Sequence, residues 1–194
     1  MFKLRLPTDP RWVNIAEGNI QEILTDHAFC EQKAASTAIS LLVTYPELDD
    51  LVEAMSDLAR EEMAHFQMVH KRLRDRGFSL GRERKDPYVN LLAKFIPKGL
   101  NRDQALVYRL LFAAMIEARS CERFRVLSEN IKDKELSSFY FSLMKSEANH
   151  YTMFLGFARK YGKDLLDVEK IWSEFLDYEA EVISQFGKSE QVHG

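Results

Sequence analysis

Two stretches of this chain echo each other. Glu62-Met63-Ala64-His65 returns as Glu147-Ala148-Asn149-His150, and each copy follows a lone glutamate on an otherwise apolar face. Glu31 lies 31 residues before Glu62, and Glu117 lies 30 residues before Glu147. On a helix, Glu and His three positions apart stand on one side, nearly one above the other. The near-equal spacings place each single glutamate at the same height as its Glu-x-x-His on a neighbouring helix. All six residues sit on stripes where Leu, Ile or Phe would be expected. An uncompensated buried carboxylate there costs several kcal/mol. Four of them also repel one another, and two divalent cations are the simplest compensation. Oxygen and imidazole donors without thiolate suit iron or manganese better than a structural zinc site.

Apolar residues at helical spacing surround each element of the echo. The first long helix is predicted over residues 13–44, with Leu24, Ala28, Glu31, Ala35, Ala38 and Leu42 on one face; Tyr45-Pro46 ends it, because proline disfavours helix in the residue before it. The second, 47–76, aligns Leu51, Met55, Leu58, Glu62, His65 and Val69, and Gly77 closes it. The third, 102–130, carries Leu110, Ala114, Glu117, Cys121 and Phe124; the fourth, 134–161, carries Leu136, Tyr140, Leu143, Glu147, His150 and Phe154. A fifth, 165–186, is expected to pack outside through Ile171, Trp172, Phe175, Tyr178 and Ile183, before a frayed tail from Gly187. Residues 77–101, with Gly77, Gly81, Pro87, Pro97 and Gly99, break the pattern and hold at most a short helix from Pro87 to Ile96. No alternating strand pattern persists.

The expected fold is therefore all-α: one domain over residues 1–194, a ferritin-like four-helix bundle with a long crossover between its second and third helices, plus a C-terminal helix. With 46% hydrophobic residues, 29% charged and only 8 Gly and 5 Pro, the composition suits few, long elements. The start is too short and charged for a signal peptide, no run is long enough to span a membrane, and two cysteines make no disulfide framework. A reducing cytoplasm is expected. The net charge of −3 hides an asymmetry: ten basic residues lie between Lys71 and Arg102, and the tail from Asp164 is acidic. A basic connector is either a polyanion contact or ordinary solvated surface.

In such bundles two glutamates bridge the metals; by analogy of fold these are Glu62 and Glu147, with Glu31 and Glu117 terminal. Glu61 and Glu122 are alternative carboxylates, but Glu61 points about 100 degrees from Glu62, and Glu122 lies five residues past Glu117. His27, one turn before Glu31, and Tyr140, two turns before Glu147, are candidates for the pocket or for contacts behind the ligands; a hydrogen-bonded core histidine and a core tyrosine are the plainer readings. Cys30 and Cys121 read as packing residues, His70 and His193 as surface. The spacing alone leaves three classes besides an oxygenase: a ferritin-type iron store, a rubrerythrin-like peroxidase (although no Cys-x-x-Cys pair is present), and a bundle with no redox metal.

Longer strings narrow the choice. Asp26-His27-Ala28-Phe29-Cys30-Glu31-Gln32-Lys33-Ala34-Ala35, Glu61-Glu62-Met63-Ala64-His65-Phe66, Ile116-Glu117-Ala118-Arg119-Ser120-Cys121-Glu122-Arg123-Phe124 and Ser146-Glu147-Ala148-Asn149-His150-Tyr151 resemble the MiaE tRNA hydroxylase family over essentially the whole chain. The resemblance implies a non-haem di-iron centre held by Glu31, Glu62, His65, Glu117, Glu147 and His150. It implies dioxygen as co-substrate, an external electron donor or reductase, and hydroxylation of the isopentenyl group of 2-methylthio-N6-isopentenyladenosine beside the tRNA anticodon. The partners expected are tRNA and that donor, with no membrane, for a monomer or small homo-oligomer. Phosphate contacts are expected from Arg82, Arg84, Lys85 and Lys98 of the crossover, with Lys33, Arg119 and Arg123 as further candidates. The modified base would have to unstack to enter.

Overall fold

The computed structural model describes residues 2–83 and 85–186. Arg84, the tail from Gly187 and His193 lie outside the described residues. Among the described residues seven α-helices form: α1 (Trp12–Gly18), α2 (Ile20–Thr44), α3 (Asp49–Asp75), α4 (Pro87–Leu92), α5 (Arg102–Asn130), α6 (Lys134–Gly162) and α7 (Val168–Ile183). A 3-10 turn, Ala93–Phe95, follows α4, and no strand forms among the described residues.

Local chemistry sets the boundaries. The first predicted helix is in fact two, because Gly18 and Asn19 interrupt it; Asn19 leaves helical geometry at φ −139° and ψ 46°, where glycine already weakens a helix by roughly 1 kcal/mol. Tyr45 closes α2, donating its N–H to the Leu41 carbonyl. α3 starts at Asp49, two residues later than expected, with Asp49 and Asp50 favourably placed in its first turn. It ends in a Schellman turn: Gly77, at φ +75°, donates to Arg74 O, and Phe78 donates to Leu73 O. α5 opens on a capping box, in which the Asn101 side chain accepts from Gln104 N and the Gln104 side chain accepts from Asn101 N. Asp86, Asp133 and Asp167 cap α4, α6 and α7. The last helix begins three residues later than expected, since Leu165 and Leu166 first turn back to donate to Gly162 O. A Cβ at Gly162 would meet Val168 Cγ2 at 2.4 Å, so only glycine fits that turn.

The backbone gathers into two compact units. The first, residues 18–85, is a helical hairpin of α2 and α3 joined by residues 45–48. Its buried stripe on α3 contains every residue expected; on α2 the stripe ends at Leu41, and Leu42 is only half-buried.

The second unit, residues 2–17 with 86–186, holds the α5–α6 hairpin, joined by residues 131–133, together with α1, α4 and α7. The predicted faces of α5 and α6 are buried throughout. Ile171, Trp172, Phe175 and Ile183 of α7 are buried and Tyr178 is half-buried, its O–H donating to Leu91 O. Phe95 stacks on Phe175 at 4.4 Å between ring centroids.

This unit also buries a polar network. Glu179 Oε1 of α7 accepts from Arg119 Nε (2.9 Å), Arg119 Nη2 (2.7 Å) and the Tyr88 hydroxyl of α4 (2.8 Å). Arg119 Nη2 also donates to Leu6 O, and its Nη1 to Glu122. Glu122 accepts from the backbone and hydroxyl of Thr8, pinning the lead-in to α5. The Arg123 guanidinium lies 4.1 Å over the Trp12 ring. Arg119 and Arg123 are 0% exposed. The expectation that they contact phosphate is corrected: their charge is spent inside the second unit. Glu122 is a structural anion, not an alternative ligand.

Candidate metal centre

Each hairpin assembles one Glu/Glu/His trio, and all six residues are between 0 and 6% exposed. In the first unit, His65 Nδ1 lies 3.2 Å from Glu62 Oε2 and 3.7 Å from Glu31 Oε2. Glu62 and His65 sit on one turn of α3, and Glu31 comes from the facing stripe of α2. In the second unit, His150 Nδ1 lies 3.8 Å from Glu147 Oε2 and 3.9 Å from Glu117 Oε2, with α6 supplying the Glu-x-x-His and α5 the single glutamate. Within either trio, one donor atom from each residue lies within 4.8 Å of the others.

The 3.2 Å separation already matches the spacing a bound cation imposes, and the 3.7, 3.8 and 3.9 Å separations are a few tenths of an ångström wider. Donors held at about 2.1 Å from a metal lie about 3.0 Å apart at octahedral angles and about 3.4 Å apart at tetrahedral ones. The charge fits as well. Two buried carboxylates and a neutral imidazole carry −2, and one divalent cation cancels it. Without a cation each buried carboxylate would cost several kcal/mol in lost hydration. The residues present therefore fit one divalent metal per trio.

The neighbours separate into clear roles. His27 is wholly buried, with Nε2 2.5 Å from Glu31 Oε1, so it stands behind Glu31 and not at the surface. Tyr140 is wholly buried against Phe124 and Phe139, at 5.3 and 5.4 Å between centroids. Glu61 is half in solvent, 3.8 Å from His65 Nε2. Neither cysteine forms a disulfide. Cys121 Sγ donates to Met144 O at 3.0 Å. Burial and then the Glu147 carboxylate push its thiol up to about 12, so it offers no thiolate at neutral pH. His70 is half-buried and stacks on Phe66.

Of the basic candidates, Arg82, Lys85 and Lys98 are exposed, and Lys33 pairs with Glu83 at 3.0 Å. Among the described residues no helix is long and apolar enough to cross a membrane.

Comparison with known proteins bears on what the trios serve. The curated tRNA 2-(methylsulfanyl)-N(6)-isopentenyladenosine(37) hydroxylase of Pseudomonas putida is 40% identical over 161 residues, covering 83% of this chain and 77% of that protein. The enzyme of the same name from Salmonella typhimurium is 29% identical, covering 93% of this chain and 83% of its own length. A solved structure, a protein with aldehyde deformylating oxygenase activity from Synechococcus, superposes with a TM-score of 0.86 at 32% identity, covering 98% of this chain and 95% of that one. The fold is accordingly all-α and ferritin-like. A sequence model of the tRNA-(MS[2]IO[6]A)-hydroxylase family matches residues 2–194, and the chain belongs to that family, MiaE.

Proposed function

We propose that this chain is a dioxygen-dependent tRNA hydroxylase with a non-haem di-iron centre. In this reading Glu31, Glu62 and His65 hold one iron, and Glu117, Glu147 and His150 hold the other. The substrate position is the isopentenyl side chain of 2-methylthio-N6-isopentenyladenosine. The observation that carries it is the doubled buried trio in a chain matched almost end to end by the hydroxylase family. An iron pair, reduced by an external electron donor, would supply activation of dioxygen for insertion into an unactivated C–H bond, chemistry that no side chain offers.

The chain's own residues do the remaining work. The four carboxylates, Glu31, Glu62, Glu117 and Glu147, would balance the charge of the cations. Met55, Leu58, Phe124 and Phe154, buried on the same stripes, keep bulk water from the donors. Exposed Arg82, Lys85 and Lys98 are proposed to meet the RNA backbone, which implies that the modified base unstacks to reach the centre. The reading has one ferritin-like domain acting in the cytoplasm on tRNA.

The test is a mass analysis of nucleosides. The protein is loaded anaerobically with ferrous iron, then given prenylated tRNA, a reductant and dioxygen. A gain of one oxygen atom on the prenylated adenosine, absent with Glu147→Ala, supports the proposal. No gain, from protein that holds two irons and consumes dioxygen, rejects the tRNA substrate and keeps the metal centre.

A second reading has one specific observation in its favour: the structural relative described as having aldehyde deformylating oxygenase activity is 32% identical over nearly the whole chain. The same loaded protein, given a long-chain aldehyde, would then yield the hydrocarbon one carbon shorter. Iron storage or peroxide removal would instead appear as dioxygen or peroxide consumption with neither organic substrate altered.

A further inference from the structure

The two trios match in residue types but differ one turn before the single glutamate. Four residues before Glu31 is His27; four residues before Glu117 is Ala113. On a helix those positions lie on the same face as the glutamate that follows. His27 is wholly buried, and its Nε2 lies 2.5 Å from Glu31 Oε1. An ionised carboxylate only accepts hydrogen bonds, so Nε2 carries the proton and donates it. The other oxygen of Glu31, Oε2, is the one 3.7 Å from His65 Nδ1. The two oxygens of Glu31 therefore have divided roles, one turned to His27 and one to the trio.

We infer that His27 is a positioning residue that fixes Glu31 as a one-oxygen ligand and so strengthens metal binding at the Glu31/Glu62/His65 position. This rests on the di-metal reading above. Holding a ligand's carboxylate in place before the cation arrives removes rotamer freedom that binding would otherwise have to freeze. Partners of this kind, once removed, typically cost 10–100-fold in metal affinity.

The experiment is an anaerobic titration of the metal-free full chain with cobalt(II), followed by its visible absorption and by calorimetry. Glu31→Ala and Glu117→Ala identify which step belongs to which trio. The wild type is expected to bind two cobalt ions. His27→Ala should weaken binding at the Glu31 trio about 10- to 100-fold and leave the other in place. His27→Gln, whose amide nitrogen can occupy the place of Nε2, should restore most of the loss, whereas His27→Asn, which is too short, should not. If His27→Ala fails to fold, the Gln and Asn pair carries the test alone. Equal shifts of both steps, no shift, or a Gln variant as weak as Asn would overturn the inference and leave the metal centre standing. A wild type that binds no cobalt overturns the metal-centre reading and this inference with it.

Discussion

Arg119 and Glu179 are sixty positions apart and meet with both side chains wholly buried, Nη2 standing 2.7 Å and Nε 2.9 Å from the same carboxylate oxygen. Through this contact and its extensions to Leu6, Thr8, Glu122 and Tyr88, α5 gathers the lead-in, α4 and α7 into one unit. The helix that carries Glu117 is thus braced two residues further on by a network whose charged members are buried.

Breaking that contact from one side should be costly. Arg119→Met leaves Glu179 buried without its cation, and losses of about 3–5 kcal/mol accompany such changes. Adding Glu179→Gln removes the stranded charge, so the double variant should be more stable than Arg119→Met alone. By contrast, Arg5→Ala, which removes a half-exposed pair with Asp177, should cost less than about 1 kcal/mol. Urea unfolding of the metal-free proteins measures all three. A single Arg119 loss as small as that of Arg5 would contradict the buried network.

The same network predicts an alkaline limit. Burial, and then the Glu179 carboxylate, hold the Tyr88 hydroxyl well above its ordinary value near 10. A raised folded-state value means that the folded protein keeps a proton the unfolded chain has lost. The associated stability is complete below about pH 10 and is lost as pH rises beyond it, with a slope of up to about 1.4 kcal/mol per pH unit. Tyr88→Phe should start about 1 kcal/mol lower at pH 8, from the missing hydrogen bond, and then fall less steeply above pH 10. Parallel curves for the two proteins between pH 9 and 11 would refute the assignment. Arg123, which burial and then Arg119 lower to about 10, is present in both proteins and contributes to both curves.

Much of the site was legible because helical periodicity and chemistry agree there. Glu31, Glu62, His65, Glu117, Glu147 and His150 interrupt apolar stripes, and those stripes are buried. Arg119 and Arg123 were misread for a physical reason. Charged residues are almost never fully buried unless paired, and apart from Glu122 their partners come from Glu179, from the lead-in and from Trp12, none near in sequence. Only the structure shows that from Ala113 to Phe124 nearly every position of α5 is buried, so that the helix is covered on all sides and any charge on it must be paired. The break at Asn19 escaped because buried residues continue on both sides of it, Trp12, Val13 and Ala16 before and Ile23 and Leu24 after.

Relocating the phosphate contacts to the exposed crossover has a measurable consequence. Arg82→Ala, Lys85→Ala and Lys98→Ala should each weaken tRNA binding and lower the slope of log affinity against log salt by about 0.7 to 0.9 for each phosphate no longer neutralised. The weakening should be similar for prenylated and unprenylated tRNA, since phosphate contacts position and do not specify. Filter binding at several salt concentrations gives both quantities. Unchanged slopes in all three variants would remove the crossover from the interface.

Charge balance in the trios sets two effects of one substitution against each other. Without metal, Glu147 adds a second buried negative charge beside Glu117. Glu147→Gln removes that charge while keeping nearly the same shape, so the metal-free variant should unfold at a higher temperature than metal-free wild type. With metal the order should reverse. A cation bound only by the folded state stabilises it by about 2.7 kcal/mol at one hundred times its dissociation constant, and the amide is a far poorer ligand than the carboxylate. The crossing is the diagnostic feature: manganese(II) or ferrous iron should raise the wild-type midpoint by several degrees and barely move that of Glu147→Gln, and a chelator should undo the gain. If the variant is less stable than wild type in both conditions by the same amount, the residue is packing and not ligating. Glu122→Gln is the control, because its carboxylate already accepts from Thr8 and Arg119; it should lower stability in both conditions and leave the metal-dependent rise intact.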